Sequence, residues 1–243
     1  KATKADFAFT LGLAYLMEGV YDKGVATLEN FVDEFPTHAE NERAQDLILR
    51  GKVFDALTRV EEGDYDRART ILTQLTKTST NPQVTNFVEE MLAQLEVLGR
   101  SAPIWQVKWT GEKHASTHNL KGKVIAVAFV EPESGESAQV TERLQALQDE
   151  YGAKGFQAVA IVSSLDDGMQ EADASDVRAW AEEHGVGFPV GIDRNGRSTY
   201  ELYKAEQAPW VALIGRDGVV HYLGGYDEGE IGSKLTDLLA ADA

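Results

Sequence analysis

The run Val124-Ile125-Ala126-Val127-Ala128-Phe129-Val130 constrains this chain more than any other stretch, and the polar loop Glu131-Pro132-Glu133-Ser134-Gly135-Glu136-Ser137 follows it at once. Seven apolar residues without alternation predict a strand buried on both faces, as in a parallel sheet covered by helices. Beyond the loop, Val140, Leu144, Leu147 and Tyr151 fall at helical spacing, so the segment 137–151 reads as an amphipathic helix. Strand, tight polar loop and helix N-terminus meet where open α/β sheets place their chemistry. Here that place holds serines and glutamates, with neither cysteine nor histidine.

Composition narrows the chemistry. The 243 residues include no cysteine, which rules out disulfides, thiolate metal sites and thiol catalysis by this chain alone. Such a chain suits the cytosol and an oxidising compartment equally. Its net charge is -17, and both halves are acidic, which argues against nucleic acid and anionic membranes as partners. No apolar run approaches the ~20 residues that span a bilayer, so no membrane insertion is expected. Lys1-Ala2-Thr3-Lys4 leads into a helix without an apolar leader, so the sequence reads as leaderless or as starting after processing or trimming.

Residues 1–100 read as an all-α region. A helix over 7–17 is followed by the turn Glu18-Gly19-Val20-Tyr21-Asp22, and a second helix over 23–34 stops at Phe35-Pro36. A looser second unit has helices over 53–60 and 67–76 around Glu62-Gly63-Asp64-Tyr65-Asp66. Ala68 and Leu72 stand to that turn as Gly24 and Leu28 stand to the first, 44 residues apart. A further helix starts at Asn81-Pro82 and ends at Gly99. With Gly12, Tyr15, Gly24, Leu28, Phe31 and Pro36, the first pair resembles a tetratricopeptide repeat. The longer spacing exceeds that family's ~34 residues and implies an extended helix from Ala39. Two roles stay open for this region: a groove for a protein or peptide partner, or a packing and homodimerisation arm.

The polar segment 99–103 marks a linker, and residues 101–243 read as a second domain. Strands are expected over 104–110, 114–117, 124–130, 156–162, 188–192, 211–214 and 219–223. Helices are expected over 137–151, from a cap at Ser175 to His184, over 198–204 and at the C-terminus through Ile231, Leu235, Leu238 and Leu239. Asp217-Gly218 signals a hairpin. The order gives an α/β fold with a mixed central sheet and helices on both faces.

Leu120-Lys121-Gly122-Lys123-Val124, Tyr151-Gly152-Ala153-Lys154-Gly155-Phe156 and His184-Gly185-Val186-Gly187-Phe188-Pro189-Val190 occur in this domain. So do Asp193-Arg194-Asn195-Gly196 and Ala208-Pro209-Trp210, followed by Gly215-Arg216-Asp217-Gly218. In this order and spacing the domain resembles the thioredoxin fold, in the TlpA/redoxin (AhpC/TSA-like) branch. The resemblance implies two redox cysteines at the loop before the helix, and those positions fall on Ser134 and Ser137. It implies a cis proline facing them at Pro209, with Ala208 where the family usually has threonine. It also implies a periplasmic or otherwise exported location. A serine pair cannot cycle through a disulfide, so the domain reads as a redox-inactive relative whose two serines are helix caps.

The expected function is therefore a non-catalytic protein- or peptide-binding scaffold with no cofactor, docking a partner at Ala208, Pro209 and Trp210. The alternative is a redoxin-type oxidoreductase or peroxidase relative that works with a partner's cysteine. Glu131, Glu133, Glu136, Asp166 and Asp167 form a candidate divalent-cation cluster, set against a solvated acidic rim. His38, His114, His118, His184 and His221 are scattered and read as structural or exposed. Trp210 is expected to line a groove or to pack against Trp180 or Tyr203.

Overall fold

The computed structural model describes residues 3–79, 81–116, 120–163, 172–194, 197–205 and 207–241. The chain divides into two compact units, Lys1–Leu95 and Glu96–Ala243. Among the described residues no helix is long and apolar enough to cross a membrane.

The first unit is helical: α1 (Lys4–Met17), α2 (Tyr21–Glu34), α3 (Asn41–Glu61), α4 (Tyr65–Thr78) and α5 (Pro82–Leu95). Thr3 caps α1 reciprocally with Asp6, each accepting a hydrogen bond from the other's backbone amide. Residues 53–60 belong to one long α3 that begins at Asn41, which is how the 44-residue spacing is absorbed. The small residues mark the close approaches. A side chain at Gly12 would begin 2.6 Å from Leu28 Cγ, and one at Gly24 would begin 2.5 Å from Leu16 Cδ2. Phe9, Leu28, Phe31 and Ala44 fill the space between the first three helices, with the Phe9 and Phe31 rings 5.5 Å apart.

The second unit is one six-stranded sheet in the order β1-β4-β3-β2-β5-β6. The strands are β1 (Val107–Trp109), β2 (Val124–Val130), β3 (Phe156–Val162), β4 (Val190–Asp193), β5 (Trp210–Ile214) and β6 (Val220–Gly224). β2, β3 and β4 run parallel, while β1, β5 and β6 each pair antiparallel with their neighbours. The helices are α6 (Gly135–Tyr151), α7 (Ala174–Glu183), α8 (Ser198–Leu202) and α9 (Glu228–Ala240). All seven residues of β2 are buried, as its uninterrupted apolar run requires. Val124, Ala126, Ala128 and Val130 share one core with Leu144 of α6 and Ile231 of α9. From the alternate positions, the Phe129 ring packs 4.9 Å from that of Tyr200 and 5.2 Å from that of Tyr203.

Several local expectations are corrected. The segment 99–103 is not a free tether: Gly99 N–H donates to Val220 O and Ala102 N–H to Gly218 O, both at 2.9 Å. The strand expected over 104–110 is held to three residues because its partner β4 is only four long. Residues 114–116 form no strand, and 117 lies outside the described residues. Asp173, not Ser175, caps α7, its carboxylate accepting from Ser175 N–H at 2.6 Å. The hydrogen bonds from Ser175 hold the Asp173 carboxyl below its ordinary pKa.

Candidate functional site

β2 delivers its carboxyl end into the loop 131–134, and α6 starts immediately after it. Ser134 is the N-cap of α6, with extended backbone and its Oγ accepting from Ser137 N–H at 3.3 Å. Ser137 is fully buried, and its Oγ accepts from Glu131 N–H at 3.1 Å. The two hydroxyls thus satisfy amides that the loop and the first helical turn leave open. Ser134 is half-buried and Ser137 is closed off from solvent.

The floor beneath this loop is tied by residues that sequence reasoning did not single out. The Tyr200 hydroxyl lies 2.9 Å from Val130 O and 3.0 Å from Ile161 O, joining the ends of β2 and β3. Burial raises its pKa far above the usual phenol range, so it remains a neutral donor. Asp193, 1% exposed, holds Tyr200 in place by accepting from Thr199 N–H at 2.7 Å and Tyr200 N–H at 3.1 Å. Its acidic side chain sits at the N-terminus of α8, where the orphan amides and dipole welcome a carboxylate.

Pro209 reaches the same end of the sheet from β5. Phe129 pairs with Trp210, so Pro209 lies one step beyond, alongside the exit of β2. The Ala208–Pro209 peptide bond is cis. β6 returns antiparallel with Gly224 opposite Val211, which brings Gly225 and Tyr226 back beside Pro209. With the outer face of α6 these residues enclose an open groove of about 560 Å³, lined among others by Gln139, Arg143, Ala208, Pro209, Trp210 and Tyr226. Glu136 also lines it, whereas Ser134 and Ser137 do not.

Chemically the groove is mixed. The Arg143 guanidinium pairs with Glu228 and lies 5.8 Å from the Tyr226 ring centre. Burial pushes the Tyr226 hydroxyl above its ordinary pKa, with Glu228 adding to the shift. Trp210 Nε1 is buried without a hydrogen-bond partner among the described residues. Gln207 and Ala208 make no backbone–backbone hydrogen bond among the described residues. Among the described residues Trp210 has no ring contact with Trp180, whose ring lies against His184, or with Tyr203, whose ring lies against Phe129. Arg143, Gln139 and Tyr226 were missed in the sequence, although the hairpin signal at Asp217-Gly218 places the residues after β6 beside those before β5.

Among the described residues no three His, Asp or Glu side chains form a group able to hold a metal ion, so Glu131, Glu133 and Glu136 make no such site together. Asp166 and Asp167 lie outside the described residues, as does His118. His184 caps the C-terminus of α7, His38 lies 3.4 Å from Asp6, and His221 faces Asp217 at 3.3 Å.

Comparison with known proteins places this geometry. The redoxin family model matches residues 98–239, and a tetratricopeptide-repeat model matches residues 6–38. This chain belongs to the redoxin family. No curated protein sequence matches it significantly. Among solved structures, an uncharacterised conserved protein from Geobacillus kaustophilus superposes with a TM-score of 0.52 at 24% identity, over 58% of this chain and 82% of that one. A protein assigned as the thiol:disulfide interchange protein DsbE, from Chlorobium tepidum, gives 0.50 at 26% identity over 59% and 98%. The thioredoxin domain of a thiol-disulfide oxidoreductase from Bacteroides vulgatus gives 0.50 at 16% identity over 59% and 98%. This redoxin domain carries no cysteine, so it has no thiol–disulfide chemistry of its own.

Proposed function

We propose that the chain is a binding scaffold whose redox-silent redoxin domain docks an extended peptide segment of a partner protein in the groove beside Pro209. One observation carries this reading: among the described residues the backbone of Gln207 and Ala208 makes no backbone–backbone hydrogen bond, at the rim of a groove floored by Pro209 and Trp210 and walled by Arg143 and Tyr226. An unpaired backbone edge recognises an extended peptide through its main chain, and flanking pockets select side chains. Ser134 and Ser137 support the same reading, because their hydroxyls accept backbone hydrogen bonds instead of facing the groove. The helical unit offers a second aromatic surface, where Tyr21 stacks on the half-exposed Phe54 at 5.6 Å.

Panning a library of random linear peptides on the purified chain, and on Arg143→Glu and Tyr226→Ala variants, tests the proposal. Selected peptides should lose tenfold or more in affinity for the variants. Peptides that bind the variants as well as the original chain would place the docking surface elsewhere. A selection made up only of cysteine-containing peptides would favour the alternative, a redoxin that works through a partner's thiol.

A further inference from the structure

α1 is apolar on both sides. Ala5, Phe9 and Gly12 face inward, packed by the neighbouring helices. The opposite side carries Phe7, 68% exposed, with Leu11, Ala14 and Met17 also exposed. α2 and α4 differ, turning Asp22, Lys23 and Asp33, and Asp66, Arg67 and Lys77, to the outside. An outer helix of a repeat array ordinarily presents a polar face, and a helix that is apolar all round is one covered on both sides.

The exposed stripe also has an internal order. Lys4, Phe7, Leu11, Ala14 and Glu18 follow one another at steps of three, four, three and four, the seam of two packed helices. A cation stands at one end and a carboxylate at the other, each seven residues from Leu11, with large Phe7 and small Ala14 on either side of it. Turned end for end about Leu11, the stripe complements itself: Lys4 meets Glu18, and Phe7 falls beside Ala14. A parallel pairing would set Lys4 against Lys4 and Phe7 against Phe7. We propose that α1 docks antiparallel onto α1 of a second copy of this chain, with the two-fold axis passing at Leu11, as an isologous contact. Lys4 Nζ lies 2.8 Å from Glu34 of its own chain, but its side chain is 79% exposed and open to a second carboxylate. This contact is independent of the groove beside Pro209.

A chain without cysteine allows a direct geometric test. Under mild oxidation Leu11→Cys should give a covalent dimer. Met17→Cys should not, because residues 17 of an antiparallel pair stand about 18 Å apart along the axis at 1.5 Å rise per residue. Sedimentation across a concentration series should show a monomer–dimer equilibrium that Lys4→Glu or Glu18→Lys each weakens at least tenfold. The double charge exchange should restore it. Both single changes place charges that suit the helix dipole, and because Lys4→Glu also breaks the Lys4–Glu34 pair, restoration by the double exchange separates a lost dimer contact from a weakened α1. A monomer at every concentration, a double exchange no better than the singles, or crosslinking through residue 17 in place of residue 11 would each overturn the proposal.

Discussion

Ser137 offers the sharpest quantitative test of the reading that both serines serve the backbone. Its hydroxyl is fully buried and is the acceptor for Glu131 N–H at 3.1 Å, just past the end of β2. Ser137→Ala leaves that amide facing a methyl group, with no other acceptor among the described residues. Losing a hydrogen bond and stranding a part-buried donor costs about 1–3 kcal/mol, and no large cavity is left to add to it. Ser134→Ala removes an N-cap at a half-buried position, where the loss is about 1 kcal/mol and water can replace part of it. All four tryptophans, at 105, 109, 180 and 210, lie in the second unit, so fluorescence-monitored urea unfolding reads that unit selectively. The expected order is original chain, then Ser134→Ala, then Ser137→Ala, with the last melting roughly 2–12 °C lower for a domain of this size. A Ser137→Ala protein as stable as the original would mean that the hydroxyl does no structural service, and the reading of both serines as backbone partners would fail with it.

Other outcomes follow from the same geometry. Cysteines placed together at 134 and 137 should close into an intramolecular disulfide on oxidation, leaving no titratable thiol; two persistently free thiols would mean that these are not the paired positions of the fold. Gly24→Val should destabilise the helical unit by about 1–3 kcal/mol through overpacking, because its Cβ would sit 2.5 Å from Leu16 Cδ2 and 3.1 Å from the immobile Leu16 backbone nitrogen. Far-UV circular dichroism would register the earlier melting, and an unchanged curve would contradict the close helix approach. Burial pushes Tyr222 up to about 12 and raises Tyr200 and Tyr203 further, so their contribution is complete below pH 10. It is lost as pH rises, because the unfolded chain sheds phenolic protons that the native state keeps. For Tyr200 and Tyr203 the slope is roughly 1.4 kcal/mol per pH unit each above pH 10, which urea midpoints between pH 9 and 11.5 can measure.

How much of this was legible in the sequence depended on whether the signal was local. β2 was readable to the residue because seven apolar side chains in a row admit few other fates. Gly24 with Leu28, and Ala68 with Leu72, announced the helix pairs because the close approach requires a small residue at a set offset from the turn. β1 was overextended because a strand lasts only as long as its partner, and β4 lies some 80 residues away in the chain. Asp173 and Ser175 are both competent caps two residues apart, and only the backbone path decides between them. The loop serines and a groove at Ala208, Pro209 and Trp210 were expected from the chain alone, but the full lining of that groove was not. It takes Arg143 from α6, Pro209 before β5 and Tyr226 after β6, three segments joined only by sheet register. Asp193 and Tyr200 escaped notice for the same reason: a buried carboxylate capping a five-residue helix looks, in sequence, like any turn aspartate.

Hydrogen exchange measured on the whole chain, with and without a peptide taken from the display selection, tests the central claim most directly. Slowed exchange should concentrate at residues 207–210 and 225–228, where the backbone of Gln207 and Ala208, without a backbone–backbone hydrogen bond among the described residues, acquires partners from the peptide. Slowing confined to other segments, with the rim beside Pro209 unchanged, would contradict the account.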